Sequence, residues 1–213
     1  MRVTRYAKFL SVFLSVAIPC TAPLLLVGCA TRGYSELSAG KQADVKRIES
    51  YLNNLQSLQA GFAQNGFGGN QQGDGHFTYI PGALRMDYEI PMGRLVVAHD
   101  EKLMLIDRSS ESVTQLSLKK NPLGYLLRRP ISFSKEVQVT DVRYGSEYIQ
   151  LSLAQADNPS QGLLTLQFSD IQGKLTLVGL KGVDAQRHRF GLAFFEVKEN
   201  LPVSKEIFTF PAH

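Results

Sequence analysis

Tyr148-Ile149-Gln150-Leu151-Ser152-Leu153, followed by Leu163-Leu164-Thr165-Leu166-Gln167-Phe168 and Leu175-Thr176-Leu177-Val178-Gly179-Leu180, decides the fold. In the first run Ile149, Leu151 and Leu153 alternate with Tyr148, Gln150 and Ser152, the period of two expected of a strand with one buried face. The links around these runs, Gly145-Ser146, Asn158-Pro159 and Gln172-Gly173, are too short for helical crossovers, so neighbouring strands run antiparallel. Working outward, turn residues and apolar runs predict further strands at about 59–66, 75–80, 83–90, 94–99, 102–107, 112–118, 135–143, 147–154, 162–169, 174–182 and 187–197. The expectation is one large curved sheet or open barrel of about eleven strands. Between the first two strands, Gln64 to Gly75 is glycine-rich but lacks the spacing of a phosphate cradle, and reads as a hairpin loop.

Several strands are apolar on both faces: Leu163, Leu164, Leu166 and Phe168; Leu175, Leu177, Val178 and Leu180; Phe190, Leu192, Phe194, Phe195 and Val197. Both faces are therefore covered. Two segments can supply a cover. Val45, Ile48, Leu52, Leu55 and Leu58 recur at helical spacing after Lys41, and Asn121-Pro122-Leu123-Gly124-Tyr125-Leu126-Leu127 combines a cap, a proline at the first helical position and an apolar face. The fold class is mainly β with an α lid. Composition leaves open whether the space under that lid is a packed core or an apolar cavity for a lipid-like guest.

The 213 residues, 44% apolar and 20% charged, suffice for one sizeable domain and argue against disorder. Of the formal charge of +4, three charges are Arg2, Arg5 and Lys8 in an acid-free leader, leaving 20 basic against 19 acidic groups elsewhere. No clustered basic face remains to favour a nucleic-acid partner. The basic head precedes Phe9–Ile18 and Leu24–Val27, the pattern of an export signal; the 19 residues from Phe9 to Val27 also reach spanning length, but Pro19 and Pro23 interrupt them. Leu26-Val27-Gly28-Cys29 resembles the lipobox of bacterial lipoproteins, with ordinary cleavage after Ala30 as the alternative. The expected organisation is a signal peptide over 1–28, a small and polar tether over 29–40 and one folded domain over 41–213. Cys29 would be the lipidation site and the compartment the periplasm, and, with Ala30 after the cysteine, the resemblance to lipoproteins implies the outer membrane as the anchoring surface. Cys20 falls within the leader, so the mature chain has at most one thiol and its core must hold the fold without a disulfide.

Catalytic chemistry is hard to place. His76, His99, His188 and His213 have no metal-ligand spacing, and no glycine-flanked nucleophilic serine occurs. His188 lies between Arg187 and Arg189 as a surface group would, and Asp107 with Glu111 falls where a hairpin turn solvates charge. The expectation is no enzyme, no metal and no cofactor.

The helix running out through Leu55 toward Phe62, then His76-Phe77-Thr78-Tyr79-Ile80-Pro81-Gly82-Ala83-Leu84-Arg85-Met86-Asp87-Tyr88, then Leu95-Val96-Val97 and Lys102-Leu103, resembles the periplasmic outer-membrane lipoprotein carrier family, the LolA type. Asn121-Pro122-Leu123 with Leu126-Leu127 is similar to the family's short lid helix, and Lys205 to Phe210 to its terminal segment. The resemblance spans roughly 41 to 210. It implies a half-open barrel, covered by helices, that takes up the acyl chains of lipoproteins, with an inner-membrane lipoprotein-releasing complex as donor and the chain a monomer. The family commonly has an arginine directly before the proline, latching the lid through hydrogen bonds; here that position is Ile80. A lipidated Cys29 also suits the related anchored acceptor, the LolB type, and a non-transporting envelope sensor could share the fold. The resemblance implies a cavity lined by Leu95, Val97, Leu103, Leu105, Leu151, Leu166, Phe168, Leu177, Phe190 and Leu192, with Leu52, Leu55, Leu123, Leu126 and Leu127 in the lid. Alternation alone does not choose which parity faces inward. At about 0.8 kcal/mol per methylene, full burial of a sixteen-carbon chain approaches ~12 kcal/mol, so a carrier that must release its guest should shield it imperfectly.

Overall fold

The protein is described by a computed structural model over residues 33–67, 71–119, 121–133, 137–158, 162–184, 187 and 189–210. The expected leader over 1–28, Cys29, His188 and His213 lie outside these residues, as does the tether up to residue 32. After a 3-10 turn at Tyr34–Glu36, helix α1 spans Ala39–Asn54. Five strands of one sheet follow as a meander: β1 (Leu58–Phe67), β2 (Gln71–Ile80), β3 (Ala83–Ile90), β4 (Arg94–His99) and β5 (Lys102–Asp107). Strand β6 (Ser112–Ser117) leads into helix α2 (Pro122–Leu127), and a second meander holds β7 (Val137–Tyr144), β8 (Tyr148–Gln155), β9 (Gly162–Ile171), β10 (Lys174–Asp184) and β11 (Arg189–Glu199). A 3-10 turn at Lys205–Phe208 closes the described chain.

All eleven strands form one antiparallel sheet in the order β6-β5-β4-β3-β2-β1-β11-β10-β9-β8-β7. Every connection within a meander is a hairpin, as the short links require, and β11 returns to pair with β1, joining the two meanders. The sheet does not close. Strands β6 and β7 are its edges.

Helix α1 forms because Val45, Ile48 and Leu52 share one face and are buried, with Ser38 capping through the Lys41 amide at 3.5 Å. It stops at Asn54, so Leu55 and Leu58 are not on the helical face that their spacing suggests: Leu55 is the C-cap and Leu58 opens β1. Tertiary bonds explain the early stop. Asn200 Oδ1 accepts from the Gln56 amide at 2.8 Å and Ser57 Oγ donates to the Leu201 carbonyl at 2.6 Å, drawing these residues into the sheet.

One face of the sheet, here the inner face, carries Ala60, Phe62, Phe77, Tyr79, Leu84, Met86, Val96, Ala98, Ile149, Leu151, Leu153, Leu164, Leu166 and Phe168, and both helices pack onto it. Tyr51 of α1 meets the Phe168 ring edge-on at 5.6 Å, and its hydroxyl donates to Glu199 and accepts from the Leu177 amide at 3.0 Å. A second, smaller core lies on the outer face. There Leu95, Val97 and Met104 are buried, and the C-terminal segment lies against β3 and β4, with Phe208 buried, Phe210 stacked on His99 at 3.9 Å and Arg85 bonded to the Ile207 carbonyl at 2.7 Å.

Candidate functional site

The site is the seam between the lid helix and the inner face. Asn121 caps α2 by accepting from the Leu123 amide at 2.9 Å, and Pro122 occupies the first turn, as its sequence predicts. Gly124 is required by close approach: a Cβ there would stand 2.1 Å from the Leu118 carbonyl oxygen. This lets the helix fold back tightly on the segment leaving β6. Leu123, Leu126 and Leu127 then meet Leu52, Leu55 and Leu58 from the end of α1 and the start of β1, and Phe77, Tyr79, Leu84, Leu177 and Leu180 from the sheet.

That seam encloses about 30 Å³. This is roughly one water molecule's share of volume, and about a tenth of the ~300 Å³ at which ligand pockets begin. In this seam the protein's own side chains take the place of the open hollow that the resemblance implies.

The lid residues Leu52, Leu55, Leu123, Leu126 and Leu127 all meet in this seam. Of the expected lining residues, Leu151, Leu166, Phe168, Leu177 and Leu192 are buried in the inner core, and Leu103 and Leu105 pack partly buried against it. Phe190 shares the face of Leu192, its ring lying where a Cβ on Gly182 would stand. Leu95 and Val97 are a correction. The register pairs Val96 with Met86 and Ala98 with Leu84, so Leu95 and Val97 point away from the lid into the outer core beneath the C-terminal segment. Four consecutive apolar residues, Leu95 to Ala98, give alternation nothing to discriminate.

A polar latch, not singled out in the sequence, ties the lid to α1. Arg129, two residues beyond α2, donates through Nη2 to the Leu52 carbonyl at 3.1 Å and to the Tyr79 hydroxyl at 2.5 Å. Tyr79 donates in turn to the Leu126 carbonyl at 3.3 Å. The Leu52 carbonyl belongs to the last turn of α1, where acceptors lack helical partners, so the guanidinium also caps that helix. Next to it, the Asn53 side chain accepts from the Ile131 amide at 2.8 Å and donates to the Ile131 carbonyl at 2.9 Å, while Glu49 accepts from the Phe133 amide. Burial raises the Tyr79 pKa, and the nearby Arg129 charge partly opposes that shift. The residue before Pro81 is Ile80, and the arginine bonded to the Leu52 carbonyl and the Tyr79 hydroxyl comes instead from beyond α2. Arg128-Arg129 after an apolar helix was a visible signal, but its partners lie 50 and 77 residues away.

A larger depression of about 380 Å³ lies on the outer face, lined by residues including Asp74, His76, Glu89, Phe195, Glu196 and Lys198. It is open and charged, unlike the apolar seam. Among the described residues no cluster of three or more histidine, cysteine, aspartate or glutamate side chains is placed to hold a metal, and no helix is long and apolar enough to cross a membrane.

A curated relative, the outer-membrane lipoprotein carrier protein of Pseudomonas paraeruginosa, is 28% identical over 195 residues, covering 87% of this chain and 92% of the relative; the Pseudomonas aeruginosa protein matches equally. Among solved structures, a LolA superfamily protein from Nitrosomonas europaea aligns over 79% of this chain and 97% of its own at 13% identity, TM-score 0.42. A DUF1329 family protein from Desulfovibrio piger aligns over 80% and 96% at 9% identity, TM-score 0.47. The family model described as outer membrane lipoprotein carrier protein LolA matches residues 53–211, from the end of α1 through the lid to the C-terminal segment, and the chain belongs to that family.

Proposed function

We propose that this chain binds the acyl chains of lipoproteins between its lid and the inner face of its sheet and carries them toward the outer membrane. The observation that carries this reading is the leucine-rich apolar seam under a six-residue helix that a few polar bonds hold in place. Lifting α2 converts the lid–sheet contact into an acyl-sized groove, and the leucines that fill the closed state become its walls. The closed form explains release. A guest must compete with the lid for the same apolar surface, so its affinity is reduced by the free energy of opening. No catalytic step is required, and the family is one of carriers rather than enzymes.

The N-terminal sequence features complete the proposal. Residues 1–28 direct export, Cys29 carries a lipid, residues 29–40 form a tether whose later part, the 3-10 turn at Tyr34–Glu36 and the first residues of α1, already lies on the fold, and residues 41–213 act as an anchored carrier that accepts cargo from an inner-membrane releasing complex. Mass spectrometry of the mature N-terminus tests the anchor: an acylated Cys29 supports it, and an unmodified N-terminus at or after Thr31 rejects it. Displacement of an apolar fluorescent dye by palmitoylated-cysteine peptides tests the carrier role. A folded sample that binds neither dye nor lipopeptide would overturn it.

A further inference from the structure

The two edges of the sheet are protected unequally. At β7 the ladder to β8 is interrupted by a bulge between Val139 and Asp141, Asp141 and Arg143 place charge on the strand, and Lys41 reaches Asp141 at 3.8 Å. The 3-10 turn at Tyr34–Glu36 also packs there. Bulges, charges and covering segments are the devices that prevent an edge from recruiting another strand. Strand β6 has none of them. Ser112-Val113-Thr114-Gln115-Leu116-Ser117 contains no charge and no proline, all six residues are exposed, and the ladder to β5 is regular at every position. Among the described residues no strand pairs with its outer edge.

This edge is also continuous with the candidate site. Leu103, packed against the inner core, pairs with Leu116, which is 53% exposed, so the apolar inner face runs out to β6. Residues 118–121 then lead directly into the lid. Strand β6 is thus joined to the candidate site through the inner face at Leu103 and Leu116 and through the chain that continues into α2.

We infer that β6 is a docking edge for an extended polypeptide, namely the segment that follows the acylated cysteine of a cargo lipoprotein, which adds to the sheet as a further strand. This rests on the carrier reading. Backbone hydrogen bonds give such pairing affinity with little demand on sequence, which suits a carrier of many cargos. A second copy of this chain is the competing occupant, and the strand's pattern opposes it. A two-fold axis normal to the sheet pairs residues of like parity: the longest registers, centred on Thr114 or Gln115, set Leu116 against Ser112 or Thr114 and Val113 against Gln115 or Ser117, without the favourable cross-strand pairs that stabilise a sheet, and only the shorter registers centred on Val113 or Leu116 put an apolar side chain against its own copy. The chain's own N-terminal segment enters the fold at the β7 side.

The test uses three synthetic probes that share a palmitoylated cysteine: one followed by two residues, one by ten uncharged residues, and one by the same ten with alternate backbone nitrogens methylated. The ten-residue probe is expected to bind about tenfold tighter than the two-residue probe, and to slow amide exchange over residues 112–117. Alternate methylation should remove both effects. Equal affinities for the short and long probes, with unchanged exchange over 112–117, overturn the inference while leaving the carrier reading intact. Protection over β7 instead overturns it too, as does protection of 112–117 in concentrated protein without probe, which would mark a second copy. If the two-residue probe fails to bind, the carrier reading fails and the inference falls with it.

Discussion

Removing the Arg129 guanidinium should open the lid and tighten, not weaken, the grip on acyl chains. In the closed state Arg129 Nη2 bonds to the Leu52 carbonyl and the Tyr79 hydroxyl, and its guanidinium lies 5.8 Å from the Tyr79 ring centre. A hydrogen bond to a charged group contributes about 1.5–3 kcal/mol when buried. Arg129 is partly exposed, so solvent screening reduces the pair to about 2 kcal/mol in total. These bonds exist only with α2 seated, so their loss shifts the closed–open equilibrium by that amount. Lipopeptide affinity, limited by the open fraction, should rise about thirtyfold in Arg129→Ala. Tyr79→Phe, which also loses the bond to the Leu126 carbonyl, should move affinity in the same direction. The assay is equilibrium titration with the two-residue palmitoylated probe, alongside thermal unfolding and the rate of transfer to acceptor vesicles. Transfer from Arg129→Ala should be slower, because a guest held more tightly leaves more slowly. The reasoning is refuted if Arg129→Ala binds no tighter than the parent while its unfolding temperature drops, since the arginine would then be a structural strut and no latch.

Gly124→Ala should have a related effect by a different route: its Cβ would collide with the Leu118 backbone oxygen, so we expect a loss of about 1–3 kcal/mol in denaturant unfolding and increased uptake of an apolar dye. Leu95→Ala and Leu177→Ala separate the two faces of the sheet. Each should cost about 2–5 kcal/mol in stability, but only the second should change lipopeptide affinity, measured at a temperature where both variants are folded. Stability should also fall at high pH. Burial raises the Tyr88 pKa from the ordinary 10.0 to about 12, and burial with the bond to Glu199 raises that of Tyr51 further. A phenol raised in the folded state contributes stability that is full below about 10 and lost as pH climbs through the folded value. Alkaline unfolding curves for Tyr51→Phe should therefore be shallower above pH 10; an unchanged slope argues against this tyrosine. At the acid end, bonds from Ser109 and then Arg94 hold Asp107 down to about 2, so Asp107→Asn should flatten the fall in stability between about pH 4 and 2.

Much of this fold is legible in the residues taken in order. Short turns between apolar runs dictate antiparallel hairpins, so all eleven strands and their neighbours within each meander follow from local signals. Asn121 and Pro122 mark the start of the lid helix because capping is a matter of adjacent residues. Clean alternation in Tyr148–Leu153 separates the two faces of β8, and the structure places its apolar face under the helices. Where alternation fails, so does the inference. At Leu95–Ala98 both faces are apolar, and only the packing of Phe208 and its neighbours on the outer side reveals that Leu95 and Val97 belong there. Bulges between Gln59 and Gly61 and between Leu177 and Gly179 shift the register between strands in ways no hydropathy pattern records.

By itself, then, the chain's order of residues determined which segments are strands, that they pair antiparallel, and that one short apolar helix is available to cover them, because these depend on interactions among near neighbours. Tertiary structure decided which face that helix covers, that the space beneath it is filled when it is seated, and that Arg129 holds it to Tyr79 and Leu52. Those outcomes depend on side chains brought together across 50 residues or more, where close packing and a few hydrogen bonds choose between faces that hydrophobicity alone leaves equivalent.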